Sequence, residues 1–479
     1  MGDNLRSKAV QGISWSFAGQ MVKQSFQFVF NVILARLLSP AEFGLVAMAN
    51  VFVYFLLIFS DLGISSALIQ KKNVTESHWS SAFWLNFALG LILTVLFVFL
   101  SPAIAHFYNH PELENILMVL SVNFVLSSLT MIQQSILTRN LDFYALMVRD
   151  IGSVVISGLL AIYLAFKGWG VWSLVIQLLI ATTVNNIFLW CSSQWRPKFI
   201  FSLTAIKDFF SFSSNLTCFQ TLNYFARNLD QLLIGKFLGS QELGYYSLAY
   251  KLMMLPLQNI SWVLVKVMFP VFSKVQDDKV RLGRAFLKML KAISIISFPI
   301  MMLFFALGPE LIRTVYGPKW SLAGDIVRIL SFCGMFQSVG TIAGLVYQSI
   351  GKTDLQLRMG ILDTAITFLT LFFCVRYGLF GVALGYTTMS ILWVHVTLGV
   401  GAWAIGMRYK TMYSALGIAN LIVCVFLVLT FIIKRFIVLP DISLIALVGV
   451  VFSFAFIVML FITGELSFQN KRLKIALLS

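Results

Sequence analysis

Leu34-Ala35-Arg36-Leu37-Leu38-Ser39-Pro40-Ala41-Glu42-Phe43-Gly44 returns, 200 residues on, as Ile234-Gly235-Lys236-Phe237-Leu238-Gly239-Ser240-Gln241-Glu242-Leu243-Gly244. In each copy an apolar run ends on a cation, small turn residues follow, and a glutamate opens the next apolar run. Further echoes keep the same order. Gln134-Ser135-Ile136 recurs as Gln348-Ser349-Ile350, and Lys167-Gly168-Trp169-Gly170-Val171 loosely as Tyr377-Gly378-Leu379-Phe380-Gly381-Val382. Their offsets drift, as loop insertions would make them. Several short matches in one order describe a duplicated chain.

Working outward from this motif, apolar runs fill nearly everything else. Helices are expected at 13–35, 43–69, 79–101, 113–136, 146–166, 170–191, 209–235, 243–269, 286–307, 322–347, 356–375, 379–403, 413–433 and 441–463. At 1.5 Å per residue each can cross about 30 Å of hydrocarbon. The chain is 59% hydrophobic and 11% charged, against about 25% charged in soluble domains, so the apolar surface needs a bilayer. The fold class is therefore an all-α membrane protein of about fourteen transmembrane helices. Each repeat holds six, and six is even, so both repeats enter the membrane in the same sense. That predicts two six-helix lobes around a central cavity, with a substrate site between them and two extra C-terminal helices. The expected boundaries are 1–200, 201–408 and 409–479, the last part ending in a cytoplasmic tail.

The formal charge of +16 is explained by loop topology rather than by nucleic acid. With a cytoplasmic N-terminus, twenty Lys and Arg fall on the cytoplasmic side and eight opposite. That is a positive-inside bias for a multi-pass protein with both termini in the cytoplasm. All extramembrane segments are short, so no soluble domain carries separate chemistry. The five cysteines sit in or beside apolar runs without a CxxC, and the four histidines offer no metal-ligand cluster. No nucleophile–base pair or Gly-rich phosphate loop is present, and no cofactor is expected.

The first segment carries Ser16, Gln20, Lys23, Gln27 and Asn31, spaced to share one helical face. Shifted by 200, this becomes Leu216, Gln220, Asn223, Arg227 and Gln231, so four of the five polar positions reappear. Polar stripes at bilayer depth avoid lipid, which places both on a common lumen. Lys23 lies about 17 Å from either end of its segment, too deep for its stem to snorkel easily. It is either a cavity cation for an anionic headgroup or half of a structural ion pair. Arg227 and Lys251 are further cavity cations, with snorkelling or a local pair to Asp230 as the rival reading for Arg227. Tyr224 and Tyr250 suit sugar rings, and Asp61 and Asp230 are candidates for coupling to an ion. Arg149-Asp150 and Lys266 read as charges at cytoplasmic helix ends. The last two segments, nearly free of charge, offer either a groove for a lipid tail or plain lipid-facing packing.

Other stretches carry a resemblance. They are Gly12-Ile13-Ser14-Trp15, Leu34 to Gly44, Asp61-Leu62-Gly63-Ile64-Ser65-Ser66-Ala67-Leu68-Ile69-Gln70-Lys71 and Trp84-Leu85-Asn86. Gly244-Tyr245-Tyr246-Ser247-Leu248-Ala249-Tyr250, Phe269-Pro270-Val271-Phe272-Ser273-Lys274-Val275-Gln276-Asp277-Asp278 and Tyr316-Gly317-Pro318-Lys319-Trp320 complete the set. Taken in order over nearly the whole chain, they resemble polysaccharide flippases (Wzx-type, colanic-acid-exporter-like) of the multidrug/oligosaccharidyl-lipid/polysaccharide exporter superfamily. The resemblance implies a flippase of the bacterial cytoplasmic (inner) membrane. Its partners would be an undecaprenyl-pyrophosphate-linked oligosaccharide, membrane lipids and the polysaccharide polymerase machinery, with no nucleic acid. A cationic lumen would hold the pyrophosphate while an ion gradient drives alternating access. The alternatives are a cation-coupled multidrug exporter, whose mostly cationic substrates call for an acidic lumen, and a membrane-embedded polymerase, which calls for a large catalytic loop.

Overall fold

The computed structural model describes the backbone of residues 2–70, 74–140, 142–463, 466–469 and 472–475. The fourteen expected segments all fall on helices, and within the described residues eleven stretches are long and apolar enough to cross a membrane. Pro40–Ile69, Ser240–Lys274 and Thr353–Ala404 among the eleven each take in two α-helices. The protein is thus a multi-pass helical membrane protein. Its chain forms two compact units, Met1–Gly244 and Tyr245–Ser479.

The first unit contains α1 (Gly2–Leu37), α2 (Pro40–Asp61), α3 (Ile64–Gln70), α4 (Glu76–Tyr108), α5 (Glu112–Arg139), α6 (Phe143–Phe166), α7 (Val171–Ser192) and α8 (Leu203–Leu238), and ends in the first turn of α9 (Ser240–Pro256). The first copy of the opening motif is a helix start. Pro40 occupies the first turn, the Glu42 amide donates to Ser39 Oγ at 3.4 Å, and the Ser39 amide donates to Glu42 Oε2 at 2.6 Å. This capping box satisfies amides that a helix leaves open. In the second copy Gly239, at φ 91°, takes the place of Ser39, and its carbonyl accepts from Leu243 as that of Ser39 accepts from Phe43.

The expected single helix at 43–69 is broken. Leu62 and Gly63 take positive φ (49° and 73°), and Asp61 Oδ1 then accepts from the Ser65 amide (3.1 Å) and hydroxyl (2.6 Å). A left-handed leucine is strained, and the Asp61 side chain supplies the acceptor that the interrupted backbone lacks.

Small residues and polar side chains join the helices. Gly158 of α6 lies under the Phe30 ring of α1, and Gly19 of α1 under Met147 of α6. Asn186 and Trp190 of α7 donate to the carbonyls of Leu126 and Leu129 on α5, at 2.8 and 3.1 Å. Such bonds matter in lipid, where no water offers an alternative. The link from α7 to α8 is held against α4: the Lys198 amide donates to Ser80, the Ser202 amide to Ser81, and Trp84 Nε1 to the Lys198 carbonyl.

The second unit continues α9 through a π-helical turn, Leu257–Ser261, into α10 (Trp262–Lys274). It then forms α11 (Lys279–Tyr316), α12 (Ser321–Ser349), α13 (Thr353–Cys374), α14 (Gly378–Ala404), α15 (Tyr409–Ala415), α16 (Gly417–Phe436) and α17 (Asp441–Ile462), followed by a short hairpin of β1 (Leu466–Gln469) and β2 (Arg472–Ile475). Its core is built on α11, which packs against α12, α16 and α17. Where α11 crosses α12, Gly308 and Gly324 bring the two backbones together. The last two helices lie on α11, with the Phe426 and Phe452 rings 4.0 Å apart. Two ion pairs fasten them: Lys434 to Glu310 at 2.9 Å, and Arg313 to Asp441 through two bonds of 2.9 and 3.0 Å. Their buried faces, at Ile422, Phe426, Val448 and Phe452, pack into the unit's own core.

Candidate functional site

The stripe on α1 is exposed at Gln20 and Gln27 and half-buried at Lys23 and Asn31. Asn31 Nδ2 donates back to the Gln27 carbonyl at 2.6 Å. Lys23 sits at the edge of the stripe that turns towards α6, and its Nζ lies 3.1 Å from Asp150 Oδ2. Arg149 grips the other oxygen of the same carboxylate, at 2.9 Å through Nε and 2.5 Å through Nη2, and donates to Gln134 Oε1 of α5 at 3.0 Å. Arg149-Asp150 is therefore no detached end-of-helix pair but part of a network joining α1, α5 and α6.

Two cations share one carboxylate here, so the network retains one positive charge. Arg149 is 11% exposed and Lys23 28%, which makes Lys23 the more accessible of the two. Pairing lowers the cost of a deep lysine, and partial exposure leaves it able to exchange Asp150 for an incoming anion.

On α8, the side chains of Gln220 and Asn223 lie outside the described residues. Tyr224 is half-buried, and its hydroxyl donates to the Val51 carbonyl of α2 at 2.6 Å, with its ring beside Phe55. Arg227 is exposed and Gln231 half-buried, whereas Asp230 is buried and accepts from the Gln231 amide at 2.8 Å. Lys251, in the second unit, is exposed on α9, and Tyr250 beside it packs between Tyr246 and Tyr386. Asp61 is occupied as the cap of α3. The structure thus pairs Lys23 with a carboxylate and ties the Tyr224 hydroxyl to α2, while Gln20, Gln27, Arg227 and Lys251 present exposed side chains.

The partners Asp150, Arg149 and Gln134 were not among the expected site residues. The sequence signal for them was faint: adjacent opposite charges in an otherwise apolar run, with no indication of depth or of what stood opposite.

These features define the class: a many-helix membrane protein whose first unit carries a basic network joining α1, α5 and α6. Among solved structures, the lipid II flippase MurJ in its inward closed conformation shares this fold, with a TM-score of 0.73 at 17% identity over 94% of this chain and 100% of that one. Residues 33–325 match the family of polysaccharide biosynthesis proteins, and the chain belongs to that family. It is 30% identical over 420 residues to the teichuronic acid biosynthesis protein TuaB of Bacillus subtilis, covering 86% of this chain and 85% of TuaB. It is also 26% identical to the lipopolysaccharide biosynthesis protein WzxC of Escherichia coli, covering 81% of this chain and 80% of WzxC.

Proposed function

We propose that this protein flips an undecaprenyl-pyrophosphate-linked oligosaccharide from the cytoplasmic to the periplasmic face of the bacterial cytoplasmic membrane, by alternating access. The observation that carries the reading is the basic network around Lys23, in a chain whose family builds polysaccharides. A pyrophosphate bearing sugars cannot cross bare hydrocarbon cheaply, because each charge would lose its hydration. A cation at bilayer depth replaces that hydration with charge-assisted hydrogen bonds.

In this scheme the pyrophosphate takes Lys23 from Asp150, and Arg149 keeps the carboxylate neutralised. Gln20 and Gln27, exposed on the same stripe, offer amide donors and acceptors to sugar hydroxyls. Arg227 serves as the corresponding cation on α8. The buried carboxylate of Asp230 is the site proposed for ion coupling, since a change in its protonation would be strongly felt there. Both termini lie in the cytoplasm in this orientation, and polymerase machinery takes the product on the far side.

The test is deletion of the gene, followed by locating the lipid-linked repeat units. Complete units accumulating on the cytoplasmic face support flipping, with restoration by the wild-type gene and not by Lys23→Ala. Accumulation on the periplasmic face would replace this reading with a polymerase.

A further inference from the structure

The link between α7 and α8 is pinned by its backbone and leaves its apolar side chains uncovered. Residues 193–202 are not helical. The Lys198 amide donates to Ser80 Oγ at 3.1 Å and the Ser202 amide to Ser81 Oγ at 2.8 Å, and both serines are fully buried. The Lys198 carbonyl accepts from Trp84 Nε1 at 2.8 Å, and the Trp195 carbonyl from Gln133 Nε2 of α5 at 3.4 Å. Phe199 is 93% exposed, and Ile200, Phe201 and Leu203 are exposed as well. The Phe199 ring stacks on Trp84 with centroids 4.9 Å apart. A run of large apolar side chains held in the open by a fixed backbone is a surface that calls for cover.

Depth says what covers it. α4 has 33 residues and is about 50 Å long, about 20 Å more than the hydrocarbon core. A centred helix thus leaves about 10 Å outside at each end. Ser80 and Trp84 stand about 6 and 12 Å from its first residue. The link therefore crosses α4 where hydrocarbon gives way to headgroups. Gln133, about 9 Å before the end of α5, meets it at a matching level. Aromatic rings gather at this depth, with the apolar face among acyl chains and the polar edge among headgroups.

The charge is one-sided. Residues 191–207 contain Arg196, Lys198 and Lys207 and no carboxylate, the first being Asp208. Arg196 is spent on the carbonyls of Trp190, Ser193 and Trp195, at 2.9, 2.6 and 2.8 Å, and closes the end of α7. Glu76, at the root of the link, accepts from Trp195 Nε1 at 2.9 Å and from Ser80 Oγ at 3.2 Å. Lys198 and Lys207 are exposed, and neither pairs with a carboxylate among the described residues.

We propose that this link is an interfacial docking site for anionic phospholipid. Phe199, Phe201 and Leu203 seat among the upper acyl carbons, and Lys198, seconded by Lys207, holds the headgroup phosphate. α4 grips the link from one side and the leaflet from the other. The site does not depend on what the protein carries.

The test is amide hydrogen exchange of the full-length protein in nanodiscs of phosphatidylglycerol, with zwitterionic phosphatidylcholine discs as the control. Amides of residues 199–203 should exchange about tenfold more slowly in phosphatidylglycerol. Lys198→Gln should cut that difference about fivefold, and Lys207→Gln should cut it further. Lys198→Arg with Lys207→Arg should keep it, which separates charge from folding. Phe199→Ser with Phe201→Ser should speed exchange in both kinds of disc. Equal exchange in the two lipids would overturn the proposal and leave the face to a protein partner. Slowing by inorganic phosphate alone in phosphatidylcholine discs would overturn it too, with a free anion as the occupant.

Discussion

Gly44 lies directly against the carbonyl of Ser240: a side-chain carbon on Gly44 would stand 1.7 Å from that oxygen. The relationship is reciprocal, since a carbon on Gly244 would stand 1.9 Å from the carbonyl of Pro40. The two copies of the repeated motif therefore dock on each other through equivalent atoms, about a local two-fold. This is backbone against backbone, and no side chain can swing away to make room.

Gly44→Ala and Gly244→Ala should each cost at least the roughly 1–3 kcal/mol of a core overpacking. Gly360→Ala and Gly449→Ala, where the added carbon meets nothing within 4 Å, should be neutral or raise stability by about 0.5–1 kcal/mol through helix propensity. Thermal unfolding of the four variants in one detergent checks this contrast. Equal midpoints for Gly44→Ala and Gly360→Ala would refute the docking.

In the network around Asp150, removing the carboxylate leaves two cations side by side, whereas removing Lys23 leaves Asp150 still held by Arg149. Asp150→Ala should therefore lower yield and unfolding temperature more than Lys23→Ala. The exchanged pair Lys23→Asp with Asp150→Lys should recover stability relative to either single change. Stability without recovered flipping in the exchanged variant would separate the structural role of Lys23 from its transport role.

The two ion pairs on α11 should differ in worth. Glu310 is 11% exposed in its side chain, so Lys434→Ala strands a nearly buried carboxylate and should approach the about 3–5 kcal/mol of a broken buried pair. Arg313 is 42% exposed, and Arg313→Ala should cost within about 1 kcal/mol. Limited proteolysis of the loops flanking α16 and α17 would report the detachment. Equal sensitivity of both variants would contradict the ranking.

Tyr224 spends its hydroxyl on the Val51 carbonyl. Tyr224→Phe should then lose about 1 kcal/mol of stability and keep its flipping rate. A large drop in flipping with unchanged unfolding would return the hydroxyl to the substrate.

Several site features were legible because they are local. The polar spacing on α1 sets one helical face, and in the structure that face is exposed at Gln20 and Gln27. The break after Asp61 was hidden inside an apolar run, because the two positive-φ residues Leu62 and Gly63 leave average hydropathy unchanged. The π turn at Leu257–Ser261 was hidden for the same reason, since one extra residue in the helical count leaves the apolar run unbroken.

The sequence by itself determined that this is a membrane protein of many helices, where the helices fall, and that a turn motif is duplicated. Hydropathy and spacing act over a window of neighbours, so the chain carries that information locally. Only the tertiary structure decided that Lys23 meets Asp150, 127 residues away, and that Gly44 meets Ser240. Those pairings depend on which helix stands beside which. In a bilayer, where nearly every helix surface is equally apolar, that choice falls to a few small residues and a few charges whose partners the local pattern does not name.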